Sequence, residues 1–168
     1  MNIFLYVCTA IMFIIFQASF LNYFLPSYLS PDLISVFVIY VAMTKSFREG
    51  VLFTLFATYM LSLNTSVGFL NLSLFYIISF AVARYVSLNF YTNELKYLFL
   101  SIALPILASK LFILFWLKLG NIIVFAEHFL YMLSETLITA AAGIIIFKLF
   151  NLIDIKTGQI NLESIVEE

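Results

Sequence analysis

Apolar residues run in long blocks along this chain, and short polar interruptions divide it into six segments. The first, 3–24, is broken only by Thr9, Gln17, Ser19 and Asn22, and Pro26 and Pro31 bracket the loop that follows. The others cover 31–44, 47–63, 69–87, 95–119 and 122–150, and a polar tail occupies 154–168. The hydrocarbon core of a bilayer needs about 20 helical residues, so each block is read as a helix crossing it. The pattern predicts an all-α, polytopic six-helix transmembrane bundle in residues 1–153, with 154–168 as a tail.

Within this frame the second block stands out as short. Its length is about 21 Å at 1.5 Å per residue, so it either thins the bilayer or is shielded by neighbouring helices. Its start is well specified: Ser30 can cap, Pro31 suits the first helical position, and Asp32 meets the positive end of the helix dipole. In the third block Gly50, Thr54, Ala57 and Thr58 form a row of small residues that lets helices approach closely in lipid. Pro105 is expected to kink the fifth block. Thr139 to Gly143 makes a small-residue waist in the sixth.

Composition strengthens the membrane reading. The 168 residues are 64% hydrophobic and 10% charged, with 20 Phe and 10 Tyr. A soluble domain is about half apolar and about a quarter charged, and a domain this small leaves much of its surface exposed. Lipid must therefore be the solvent for most of the chain. The N-terminal block has no Lys or Arg before it and exceeds a signal-peptide core, which points to an uncleaved first helix. Leu5-Tyr6-Val7-Cys8 has side chains too bulky for a lipoprotein cleavage box.

Charge placement sets an orientation. With six spans and a cytoplasmic N-terminus, Lys45, Arg48, Arg84, Lys96, Lys148 and Lys156 fall inside and Lys118 outside. This is a clear positive-inside asymmetry, with both termini in the cytoplasm. Arg84 and Lys148 are expected to snorkel to the inner surface, and Trp116 suits the outer aromatic belt.

Candidate chemistry is sparse. Lys110 and Glu135 both fall at membrane depth, where charges are costly and usually pair. They are expected to form an ion pair joining the fifth and sixth helices, with an ion carrier as the functional alternative. Asp32 is either a helix start satisfied by backbone amides or a contact for a ligand or partner. Glu127 and His128 fall near the outer interface, and with one His no metal site is expected. One cysteine leaves no internal disulfide. No basic face suits nucleic acid, no hydrolase constellation or Gly-rich phosphate loop is visible, and no enzyme or cofactor is expected.

The stretch from Pro31 to Asn71 carries a resemblance. Pro31-Asp32-Leu33, an apolar helix, a basic hinge with Arg48 and Gly50, and a turn ending at Gly68 with Asn71 beyond resemble the MreD family of rod-shape-determining membrane proteins. Met60 stands where that family usually has Asp, and Asn64 where it usually has Gly. The resemblance implies a non-enzymatic inner-membrane component of the cell-wall elongation machinery that binds the periplasmic scaffold MreC. MreB, RodA and a class B penicillin-binding protein would be its wider partners. It also implies a fold similar to the substrate-binding subunits of energy-coupling-factor transporters. The alternative function is such a subunit for a vitamin, with Asp32, Asn64, Glu127 and His128 able to line an outward cavity.

Overall fold

The computed structural model describes residues 3–24, 26, 29–89, 95–119 and 125–156, and these form an all-helical bundle. Helix α1 (Ile3–Phe16) passes into a π-helical turn, Gln17–Leu21, and a last turn, Asn22–Phe24. Then follow α2 (Leu33–Thr44), α3 (Phe47–Ser62), α4 (Phe69–Asn89), α5 (Leu95–Leu119) and α6 (Phe125–Lys156). Stretches of 21, 22 and 24 residues in α4, α5 and α6 are long and apolar enough to cross a membrane.

The shortest apolar block forms the centre. Every residue from Leu33 to Ala42 is buried, and α2 packs against each of the other five helices. A helix that is apolar all round has no face suited to water and belongs in an interior. Around it, α1 packs on α3, α3 on α4, α4 on α5, and α5 on α6. On the remaining side α1 and α6 approach through Phe13 and Phe150, whose ring centroids are 5.7 Å apart. The outer surface stays apolar, with Met12, Leu52, Leu70, Phe115 and Ile145 among many exposed large side chains.

Consecutive helices alternate in direction. Tyr6 near the start of α1 stacks on Tyr40 near the end of α2, and Lys45 Nζ lies 4.6 Å from the Tyr6 ring centroid. At this same end Arg84 of α4 reaches the Lys45 carbonyl, and Tyr40 reaches Asn151 of α6. Lys45, Arg84 and Lys148 therefore share one end of the bundle with Arg48 in the first turn of α3. Asp32 lies at the opposite end of α2.

Close approach between α3 and α4 depends on one glycine. A Cβ at Gly50 would stand 2.5 Å from Phe80 Cε2 and 2.8 Å from Cζ, closer than side-chain carbons pack. Gly50, Thr54, Ala57 and Thr58 are all buried. Thr54 and Thr58 donate back to the Gly50 and Thr54 carbonyls at 2.8 and 2.7 Å, which hides their hydroxyls within the helix. Ser46 caps α3 by accepting from Glu49 N.

Several expectations change in detail. The α2 cap is Asp32, not Ser30, and Pro31 precedes the helix instead of opening it, because the Asp32 carboxylate accepts from Ser35 N three residues on. Helix α4 extends to Asn89, beyond the block ending at 87. Helix α6 is described over Phe125–Lys156, so 154–156 belong to the helix and not to a tail, and the expected start at 122 lies outside the described residues. Pro105 lies within α5. There its carbonyl accepts from Ser109 Oγ at 3.0 Å and Ser79 Oγ at 3.3 Å, so the two serines fasten α4 to α5 at that point. The polar residues 90–94, the turn at 120–121 and the tail beyond 156 lie outside the described residues.

Candidate functional site: a polar hub at the start of the central helix

A buried helix end is costly because its first amides lack intrahelical partners. At α2 the cost is met by side chains from other helices. Asp32 Oδ1 accepts from Ser35 N at 3.0 Å, and Ser35 Oγ donates to Oδ2. The Asp32 N–H donates to Thr139 Oγ1 of α6 at 3.0 Å. The Leu33 N–H donates to Gln17 Oε1 at 3.1 Å, from the π-helical turn after α1. Tyr76 of α4 donates its hydroxyl to the Asp32 carboxylate, 3.3 Å from both oxygens. Asp32, Ser35, Tyr76 and Thr139 are all buried.

Beside this cap lies the ion pair. Lys110 Nζ of α5 stands 2.6 Å from Glu135 Oε2 of α6. Glu135 is four residues before Thr139, so both lie on the same face, about 5–6 Å apart at Cβ. The Asp32 N–H bond to Thr139 brings this face of α6, and with it Glu135, to the Asp32 cap. Polar groups from α1, α2, α4, α5 and α6 thus converge on one hub. Lys110 Nζ is shut away from solvent and, among the described residues, has no hydrogen-bond partner apart from the Glu135 contact. Glu135 is the open member, with 31% of its side chain exposed.

The opposite end of α2 is closed by one arginine. Arg84 Nη1 donates to the Ala42 and Lys45 carbonyls, both at 2.9 Å. A cation at a helix C-terminus also meets the negative end of the dipole. Arg84 is thus a cap for the central helix, a more specific role than the expected snorkelling to a surface.

The residues of the resemblance fall at separate places. Asp32 is in the hub, with Pro31 half-buried before it. Gly50 is at the α3–α4 contact, and Arg48, expected on a hinge, is exposed in the first turn of α3, which Ser46 caps. Gly68 opens α4, its carbonyl accepting from Asn71 N and Leu72 N at 3.1 and 3.3 Å, and open space surrounds the place of its missing Cβ. Asn71 is exposed. Asn64 Nδ2 donates to the Met60 carbonyl at 3.0 Å, so the two residues that depart from the family pattern together close the end of α3. Trp116 and His128 are exposed, and the Glu127 side chain lies outside the described residues.

Sequence reasoning missed Tyr76 and Thr139 as partners of Asp32, and Gln17 as the partner of the Leu33 N–H. Gln17, a carboxamide within an apolar block, could have been singled out as a residue needing a partner. Tyr76 is one of 10 tyrosines and carries no distinguishing signal. Compared with protein families, curated proteins and solved structures, the chain finds no match.

Proposed function

We propose that this protein is a non-enzymatic scaffold of the cell-wall elongation machinery, of the MreD type, which crosses the cytoplasmic membrane six times. Its basic end faces the cytoplasm with both termini, and the Asp32 end faces outward. The protein binds an MreC-like scaffold through that partner's membrane segment, alongside MreB, RodA and a class B penicillin-binding protein. The observation that carries this reading is where the resembling stretch falls. Pro31 to Asn71 supplies the central helix, its Asp32 cap and the Gly50 contact with Phe80. A motif used for building the bundle suits a partner-binding scaffold better than a catalyst.

Affinity capture of the full-length protein from native membranes tests the proposal. The expected result is recovery of a single-span periplasmic coiled-coil protein, with cells that round up on depletion. Recovery of no such partner, together with normal cell shape, rejects it. The hub gives some weight to a second reading, the substrate-binding subunit of an energy-coupling-factor vitamin transporter. Saturable vitamin binding by the purified protein would favour that reading.

A further inference from the structure

The polar hub carries an unbalanced charge. Among the described side chains it holds two carboxylates, Asp32 and Glu135, joined through the Asp32 N–H bond to Thr139 one turn along α6, and one ammonium, Lys110, leaving one negative charge in excess. The partners of Asp32 are neutral: Ser35 N, Ser35 Oγ and the Tyr76 hydroxyl. They solvate its charge without cancelling it. Lys110 is committed to Glu135 at 2.6 Å. Gln17 from α1 and Thr139 from α6 bring no charge, and His128 lies two turns further out on α6 and is exposed. Uncompensated charge inside a low-dielectric bundle is expensive, and such sites take up a counter-ion or a proton instead.

Of the two carboxylates only Glu135 has room. Asp32 is buried and both its oxygens are engaged, whereas Glu135 is a third exposed and uses Oε2 for the ammonium. We propose that the hub is a binding site for one monovalent cation, a proton or a sodium ion, held at the Glu135 carboxylate. A proton arrives from water at the Asp32 end of the bundle and adds to the carboxylate, and the hub becomes neutral. Occupancy also weakens the claim of Glu135 on Lys110, so it loosens the charge contact between α5 and α6. The inference rests on the membrane setting proposed above and is independent of the identity of the partner.

The test is an infrared pH titration of the full-length protein in lipid nanodiscs, from about pH 4 to about pH 9, in potassium and then in sodium salts. Acidification should bring up the carbonyl band of one buried protonated carboxyl group. Glu135→Gln should abolish that band, and Glu49→Gln, exposed in the first turn of α3, should keep it. A midpoint equal in the two salts identifies the proton as the sole ligand. A midpoint that falls by about one pH unit per tenfold rise in sodium identifies competition by that ion. Lys110→Met, which deepens the charge excess, should raise the midpoint by about one unit or more. The proposal is overturned by a band that survives Glu135→Gln, by one lost only in Asp32→Asn, or by a midpoint that Lys110→Met leaves in place. These outcomes are separate from partner capture, so either reading can fail alone.

Discussion

Asp32 and Thr139, separated by 107 positions in sequence, meet through a 3.0 Å hydrogen bond from the Asp32 backbone N–H to Thr139 Oγ1. The bond satisfies an amide just ahead of the first turn of α2, at a depth where water gives little help, and it ties the central helix to α6. An unpartnered buried donor costs about 1–3 kcal/mol. Thr139→Val keeps the volume and removes the acceptor, so it should destabilise the protein by that amount. Thr139→Ser should stay close to the parent. Thermal unfolding in detergent micelles measures both, and equal stability of the two variants would remove the bond from the account.

At the other end of α2 the argument concerns carbonyls. Arg84 holds those of Ala42 and Lys45 through a single nitrogen. Hydrogen bonds to a charged group contribute about 1.5–3 kcal/mol. Arg84→Met should therefore fray the last turn, and the amides of Met43, Thr44 and Lys45 should exchange with deuterium well ahead of those at Phe37 to Ile39. Uniform exchange along the helix in Arg84→Met would show that packing alone holds the end.

How far the sequence carries this fold depends on the kind of signal. The segment lengths follow from solvent: a run of apolar residues needs an interior, and α4, α5 and α6 appear within a few residues of their blocks. The Gly50, Thr54, Thr58 row is legible because helical spacing alone puts those residues on one face. The short block 31–44 signals burial through its length and uniform apolarity, and α2 is the most enclosed helix. The partners of Asp32 are not legible in this way. Tyr76 and Thr139 meet it, and Gln17 meets the neighbouring Leu33 N–H, through the packing of separate helices, and no local pattern encodes that geometry.

Two glycines of the same motif should behave differently. At Gly50 an added methyl group meets the buried Phe80 ring, so Gly50→Ala should cost about 1–3 kcal/mol through overpacking. Phe80→Leu in the same chain should recover part of the loss, because the contacted ring atoms are gone. At Gly68 nothing stands within 4 Å of the added atom, and Gly68→Ala should be close to neutral. A double-mutant cycle on Gly50 and Phe80 measures the coupling. A cycle energy near zero would place the glycine's role elsewhere.

The Lys110–Glu135 pair permits a prediction that separates holding helices together from serving as a site. Removing one partner of a buried pair leaves the other charge stranded, at a cost of about 3–5 kcal/mol, whereas replacing both by apolar residues is often neutral. Lys110→Met leaves two carboxylates and no ammonium in the hub, so it should lower stability and membrane levels most. Glu135→Gln leaves Lys110 balanced by nearby Asp32 and can still accept from it, so its loss should be the smaller of the two. The double variant Lys110→Met with Glu135→Leu should regain much of the stability lost in Lys110→Met. If the pair served only to hold α5 on α6, the double variant would also keep partner capture and normal cell shape. A well-folded double variant that loses either one would show that the charges themselves are used, because the apolar replacement retains the packing and removes only the chemistry.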